Sequence, residues 1–420
     1  MQVCVLGAGV VGVTTAWYLQ QQGYEVTVVD RQSGAGLETS FANGGQISVS
    51  HAEPWANPRT PAKMLKWLLR EDAPLLFRLK ADLRQWLWGL TFIRECTPAR
   101  ARHNLIQLLN LGTFSRSALQ ELRSQTGIEY DSLSKGILHF YTSSQEFIAA
   151  IEATQLMQKY GCDRQVMTSE QAVQIEPALQ TVKDKIVGAT YTSADESGDA
   201  HQFTQNLAKL CQDRGVEFLW NSQVHALETG IEGKLDGIQI TCSNGSRTTL
   251  KPDICVVAMG SYSSSLLRPL GIDLQIYPVK GYSATFRVEK AELAYTTSLT
   301  DDEYKLVFSR LGDRLRVAGT AELNGYNLAL NQVRCEAIVK RVMELFPEAV
   351  DPASAQFWTG LRPSTPSNLP YIGKTRYPNL FVNTGHGTLG WTHACGSARA
   401  IAEIVAGRQP EVNFEFQRTL

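Results

Sequence analysis

Gly7, Gly9 and Gly12 stand in G-x-G-x-x-G directly after the apolar run that contains Val3, Val5 and Leu6. In that setting the first glycine allows a tight turn, the second a close approach of backbone to a pyrophosphate, and the third close packing of helix on sheet. The helix that follows, from Val10 through Gln21 with Gly23 as its stop, turns its positive end towards the phosphates. A second strand from Val26 to Val29 ends in Asp30, 18 residues past Gly12, where a carboxylate can accept hydrogen bonds from a ribose diol. Strand, helix, second strand and terminal acid agree on a dinucleotide site, with NAD and FAD both open. A tight loop in an unrelated fold is the competing reading of the glycines alone.

A second chemical signal lies far along the chain. Arg362 sits in GLRPSTPSNLPYIG, beside a rigid, proline-rich turn. A guanidinium offers two parallel donors and stays charged, which makes it the natural partner of a carboxylate. An arginine closing a turn through a salt bridge is the plainer alternative.

Three further segments favour FAD over NAD. The polar stretch ETSFANGGQIS, residues 38–48, follows soon after Asp30 and Arg31, where an NAD domain would continue into another α/β unit. A flavin instead needs an ordered loop past its pyrophosphate, here carrying Thr39, Ser40, Asn43, Gly44, Gly45, Gln46 and Ile47. The second segment reads as a helix, a strand near Val216 to Leu219, a hairpin, and an apolar strand from Ile254 to Ala258 that ends at Gly260. It returns the chain to the first sheet, with Val224 beside the adenine and Ala258 and Gly260 under the dinucleotide. The third is PNLFVNTGHGTLGWTHACGS: a strand from Leu380 to Val382, a loop holding Gly385, His386, Gly387, Thr388, Leu389 and Gly390, then a helix buried along Ala394, Ala398, Ile401 and Ile404. Glycine there lets backbone N–H groups and a helix N-terminus reach a negatively charged ring edge. A helix-entry turn with a structural His386 is the rival.

These stretches, with HAEPW, YPVKGYS and DDEYKLVFSR, run from the first residues to about Gly396 and resemble the D-amino-acid oxidase-like flavoproteins, the group that includes glycine oxidase and sarcosine oxidase. The resemblance implies an α/β fold: a Rossmann-type FAD-binding domain, a second, mostly antiparallel β-sheet substrate domain, and a helical insertion. It implies FAD as cofactor and oxidative deamination of amino acids, with small neutral D-amino acids expected and electrons passed to a quinone or other carrier. It places Arg362 on the substrate carboxylate, Gly360 beside the cofactor, and Tyr304, Tyr282, Lys280 and His51 as further substrate contacts, each with ordinary packing as its rival. Relatives often carry an acid after T-P where this chain has Ser367, so no carboxylate is expected there. Three rivals stay open: an oxygen-using oxidase, a nicotinamide-dependent dehydrogenase, and a non-catalytic flavin-binding subunit.

The expected division is 1–60, 186–270 and 358–420 for the FAD domain, with 61–185 as insertion plus part of the substrate domain and 271–357 as its remainder. Trp55, just before the insertion, and Trp67, Trp86 and Trp88 within it interleave with Lys63, Lys66, Arg70, Arg78, Lys80, Arg84 and Arg94. That pattern suits either an anionic membrane surface or a helix pair packed on the flavin domain. Lys and Arg total 40 against 41 Asp and Glu, which argues against a nucleic-acid partner. The eight cysteines are scattered, without metal-ligand spacing, and read as small buried hydrophobes. No signal peptide or membrane-spanning run is read, so the expected location is the cytoplasmic side, peripheral on the inner membrane if the insertion binds lipid.

Overall fold

The computed structural model describes residues 1–67, 71, 73–230 and 233–420, without the side chains of residues 65–67. Arg70 and the Lys66 and Trp67 side chains therefore lie outside the described residues. A six-stranded sheet runs in the order Tyr371–Lys374, Leu380–Thr384, Ile254–Val257, Gln2–Leu6, Glu25–Val29, Glu217–Leu219. All its pairings are parallel except the one between Tyr371–Lys374 and Leu380–Thr384. Parallel strands bury both faces, and the first strand shows it by alternation. Val3 and Val5 join the core beneath the helices Val10–Gln21, Ala200–Asp213 and Gly390–Val405, while Cys4 and Leu6 pack with Leu227, Ile238 and Ile240 on the other face.

That other face is covered by a three-stranded antiparallel sheet, Gln223–Thr229, Leu235–Thr241 and Arg247–Leu250, where a hairpin was expected. The third strand escaped notice because Arg247, Thr248 and Thr249 are all exposed, leaving no alternation to read.

The second large sheet has nine strands. Its main path runs Gln356–Ser364, Tyr277–Arg287, Arg314–Leu323, Leu306–Leu311, Ser298–Asp301, Ile137–Tyr141, Gly188–Thr192, Gln165–Met167, with Leu75–Phe77 added beside Arg314–Leu323. Its pairings are antiparallel apart from Ile137–Tyr141 with Ser298–Asp301 and Leu75–Phe77 with Arg314–Leu323. One face packs on the helix Gln332–Leu345 through Tyr282, Ala284, Phe286, Phe308, Val317, Ile338 and Val342. Gly188–Thr192 and Gln356–Ser364 belong to this sheet, so the divisions read at residues 186 and 358 fall too early. The sheet that each strand joins is chosen by distant partners and carries no local mark.

The insertion supplies the helices Thr60–Trp67, Leu83–Glu95 and Pro98–Thr126. Leu83–Glu95 is anchored on one side by Trp88, whose Nε1 donates to the Ser364 carbonyl at 2.9 Å and whose ring stacks on Phe92. Its opposite side carries Leu83, Trp86, Leu87, Leu90 and Ile93, all exposed. Seven of the eight cysteines are buried and all are free thiols, as their scatter suggested. Among the described residues no cluster of side chains could hold a metal ion, and no helix is long and apolar enough to cross a membrane.

Candidate active site

A cavity of about 700 Å³ opens between the two large sheets. One end is the glycine turn. Gly7 has φ +105°, and a Cβ there would lie 2.7 Å from the Ala258 carbonyl oxygen. At Gly12 a Cβ would collide with the Gly7 carbonyl oxygen and lie 2.8 Å from its carbonyl carbon. Gly12 therefore sets the helix–sheet distance without lining the cavity, while Gly7, Gly9 and Val10 do line it. Asp30 accepts hydrogen bonds from the amides of Ala8 (2.6 Å) and Gln32 (2.8 Å), and its burial raises its carboxyl above the usual range. The turn is thus fixed by the residue expected to meet the ribose. Arg31 pairs with Glu38 at 2.6 Å and lies 4.0 Å over the Tyr262 ring, forming a charged rim to this end.

The loop after the second strand continues along the cavity. Ser40 Oγ accepts from the Val10 amide at 3.0 Å, and Asn43 Oδ1 accepts from the Gly45 amide at 2.9 Å. Thr39, Ser40, Asn43, Gly44, Gly45 and Gln46 line the space, as do Val224, Ala258, Gly260 and Gly360. Ile47 does not. Its side chain is fully buried in the core and its backbone pairs with Glu196, because alternation along a strand turns it away from Gln46. All six residues from Gly385 to Gly390 face the cavity, at the start of the Gly390–Val405 helix. His386 is buried and neutral there, burial pushing its imidazole down to about 3, and its Nε2 has no partner. Asn383 Oδ1, also on the cavity wall, is likewise unpartnered. A side-chain-free turn at one end, unsatisfied polar atoms and a helix N-terminus at the other, and a continuous channel between them fit an extended dinucleotide with a polar ring system.

Arg362 lies in the strand Gln356–Ser364 and not in the turn itself. Its guanidinium crosses the neighbouring strand and donates to two carbonyl oxygens, Thr320 (2.7 Å) and Gly319 (3.3 Å). No carboxylate pairs with it among the described residues. Burial, with Arg334 nearby, lowers its pKa to about 10, so it remains a cation at neutral pH. The crossing is possible because the strand below it presents Gly281, where a Cβ would lie 2.5 Å from Arg362 Cζ. His51 also lines the cavity.

Two expected substrate contacts, Lys280 and Tyr304, do not line the cavity, and a third, Tyr282, lines it but turns its hydroxyl away to Glu322. Lys280 and Tyr282 flank Gly281, so their side chains point to the opposite face. There Glu322 accepts from Tyr282 Oη at 2.5 Å and pairs with Lys280 Nζ at 3.0 Å. They form a buried structural triad. Tyr304 sits in the turn after Ser298–Asp301, is 43% exposed, and lies under the Arg341 guanidinium at 4.1 Å, outside the cavity. Gly281 was missed, although the two-residue period of VKGYS would have put it opposite its neighbours. Also missed were His139, Asp302, Lys305 and Arg164, which line the end of the cavity beyond His51.

Two facing sheets, a glycine turn on a buried acid, and a guanidinium across the cavity with no carboxylate partner among the described residues define a dinucleotide-dependent oxidoreductase. The chain belongs to the FAD dependent oxidoreductase family, whose model matches residues 2–404. FAD is therefore its cofactor, and the residues just described would hold it. Among curated relatives, the D-amino acid dehydrogenase of Dechloromonas aromatica (strain RCB) is 55% identical over 418 residues, covering 100% of both chains. That of Paramagnetospirillum magneticum is 49% identical, covering 99% of this chain and 97% of its own. Glycine oxidase from Bacillus cereus shares the fold with a TM-score of 0.74 at 22% identity, over 97% of this chain and 95% of its own. L-proline dehydrogenase from P. horikoshii does so with a TM-score of 0.76 at 16% identity, over 98% and 95%.

Proposed function

We propose that the protein oxidatively deaminates D-amino acids to 2-oxo acids and ammonia and passes the electrons to a quinone or similar carrier. The observation that carries this reading is Arg362: a cation at the cavity wall that hydrogen-bonds to carbonyl oxygens and, among the described residues, meets no carboxylate, so a substrate carboxylate would be its counter-charge. Full-length similarity to proteins named D-amino acid dehydrogenase supports the substrate class. The wall near Arg362 is Gly281, Ala318, Thr320 and Val307, small and uncharged, which favours small neutral side chains. FAD supplies the two-electron acceptance, and the protein supplies orientation and electrostatics. The amine must be neutral when the Cα–H bond breaks; the imine then hydrolyses in water.

Anaerobic bleaching of the visible flavin band by matched D and L enantiomers tests the reading. Bleaching by D-alanine and not L-alanine is the expected result. A yellow protein bleached by neither enantiomer of any amino acid overturns it, and rapid peroxide release in air would replace the carrier with oxygen.

The same reading places the acceptor at a membrane. The exposed side of Leu83–Glu95, where Leu83 is 72% and Leu90 64% exposed, continues into Tyr326, Leu328, Leu330 and Val333. Lys80 joins the two by donating to the Asn324 carbonyl at 2.8 Å. Arg84 and Arg94 flank the helix face, a combination that suits the interface of an anionic bilayer. The Tyr326 ring lies tilted against Tyr262 of the cavity rim, 5.1 Å between centroids, so a docked molecule would present that rim to the lipid. Replacing Leu83 and Leu90 together by Ser should remove roughly 2–4 kcal/mol of interfacial affinity, read as loss of sedimentation with phosphatidylglycerol vesicles while turnover with a water-soluble dye persists. Unchanged sedimentation would count against the membrane contact.

A further inference from the structure

Beyond His51 the cavity wall is a row of titratable groups that neither cofactor binding nor carboxylate recognition uses. His139, in the middle of the strand Ile137–Tyr141, is 3% exposed. Its Nδ1 lies 3.2 Å from Asp302 Oδ2, and its Nε2 has no partner. Asp302 is held in turn by Lys305 at 2.8 Å. The ring of His51 stands 5.6 Å from that of His139, centroid to centroid. A carboxylate on Nδ1 fixes the tautomer that carries its hydrogen there and leaves Nε2 as a lone-pair acceptor. This is the base-and-orienter arrangement of a proton acceptor, buried and facing the cavity.

We infer that His51, His139 and Asp302 form a relay that takes the proton from the substrate ammonium. The inference rests on the oxidative deamination proposed above and adds the route by which the amine becomes neutral. The ammonium N–H bond breaks and its proton binds one nitrogen of His51, which releases the proton on its other nitrogen to His139 Nε2 across one water. His139 becomes an imidazolium beside the Asp302 carboxylate. The substrate keeps the nitrogen lone pair, and the hydride that later leaves Cα carries its two electrons to FAD.

Position requires a relay instead of direct contact. The Arg362 guanidinium lies over the strand Arg314–Leu323, and three strand spacings separate that strand from Ile137–Tyr141, about 14 Å at the usual interval. A small amino acid held by Arg362 cannot place its nitrogen on His139. His51, on the turn that follows the flavin loop, lines the cavity with its ring centroid 5.6 Å from that of His139, and in the relay it carries the proton over the remaining interval.

Every element around His139 contributes a charged or titratable group. The Val49–His51 turn brings His51 and, just after it, Glu53; the strand itself brings Tyr141; the segment before Gln165–Met167 brings Arg164; and the turn after Ser298–Asp301 brings Asp302 and Lys305. Burial lowers both imidazoles, His51 to about 3, so both are neutral at neutral pH; burial opposes their protonation, and the Asp302 carboxylate is the group that favours the imidazolium at His139. Burial opposes the Asp302 charge, but Lys305 and His139 hold that carboxyl well below the usual range. Arg164 donates to Tyr141 Oη, Thr190 Oγ1 and the Ser50 carbonyl, and so walls the relay with fixed positive charge that Asp302 and Glu53 offset.

The test compares wild type, His139→Asn and Asp302→Asn by anaerobic stopped-flow bleaching across pH with a saturable D-amino acid. Asn at 139 retains a donor for Asp302 but offers no base. Both variants should reduce their flavin about 10²-fold more slowly at pH 7 and recover towards wild type at alkaline pH, where the substrate amine enters already neutral. Half-saturating substrate should be unchanged, because Arg362 is intact. Equal slowing at every pH, or no slowing at pH 7, overturns the relay. If one variant loses its flavin, the other decides by the same criterion. A wild type that no amino acid bleaches would instead sink the proposed function.

Discussion

Replacing Arg362 by Ala is expected to abolish most turnover while leaving the flavin bound. The guanidinium lies over Gly281 and, among the described residues, hydrogen-bonds only to the carbonyl oxygens of Thr320 and Gly319, on the strand Arg314–Leu323 beyond the one that Arg362's own strand pairs with. Its removal breaks no ion pair and leaves two acceptors that water entering the cavity can satisfy. A buried carboxylate losing such a partner forfeits roughly 2–5 kcal/mol, or about 30- to several-thousand-fold in kcat/KM. Most of this should fall on KM if the carboxylate contact is equal in ground and transition states, and on kcat as well if it also aligns Cα–H. Arg362→Lys should recover little, since an ammonium lacks the fork that spans two carbonyls and still faces outward. Tyr304→Phe is the control: its ring lies under Arg341 outside the cavity, so steady-state constants should stay within twofold. Wild-type constants in Arg362→Ala would remove the carboxylate assignment.

The second large effect is expected from one methyl group. In Gly12→Ala the new Cβ meets the Gly7 carbonyl, which is backbone within the turn itself, so no rotamer change relieves it. The helix Val10–Gln21 must move off the sheet, yet its buried residues Val13, Ala16, Trp17 and Leu19 are packed in the main core. Overpacking of this kind costs typically 1–3 kcal/mol, and here it also opens the turn that Asp30 fixes through the Ala8 amide. The purified variant should be largely colourless and melt earlier, with excess FAD restoring only part of the difference. Gly23→Ala offers the contrast, since nothing lies within 4 Å of its Cβ position and only the left-handed backbone at φ +84° is strained. A Gly12→Ala protein as yellow and as stable as wild type would show that the turn tolerates a wider helix–sheet gap.

What the sequence disclosed follows from the range over which each feature is encoded. Gly7, Gly9, Gly12 and Asp30 fall within one strand–helix–strand unit, and Gly385 to Gly390 within one loop, so local backbone chemistry was enough to read them. Arg362 was legible because few residue types bind a carboxylate in a fork. Lys280 was misplaced, and the Tyr282 hydroxyl turned out to face Glu322, because a residue's chemistry does not tell which face of its strand it occupies. The pairing with Arg314–Leu323 and the bulge between Lys280 and Tyr282 decide that. His139 and Asp302 are 163 residues apart, and a lone histidine in ILHFY gives no hint of a partner that only pairing of distant strands supplies. The two sides of Leu83–Glu95 explain why the tryptophan-rich insertion allowed two readings: Trp88 packs inward and Trp86 faces out.

The order of strands in the six-stranded sheet has a consequence for how the molecule is made. Gln2–Leu6 pairs on one side with Glu25–Val29, made moments later, and on the other with Ile254–Val257, which pairs in turn with Leu380–Thr384. As the chain emerges from a ribosome, the glycine turn therefore waits for some 250 further residues before its second neighbour exists, and the loop from Gly385 to Gly390 arrives later still. The nascent parallel strands have unpaired edges throughout that interval, the condition in which slow, long-range sheets aggregate. The completed cavity is consequently a product of the last stage of synthesis, and FAD present at that stage would stabilise the native chain, because a ligand that binds only the completed fold draws the chain towards it.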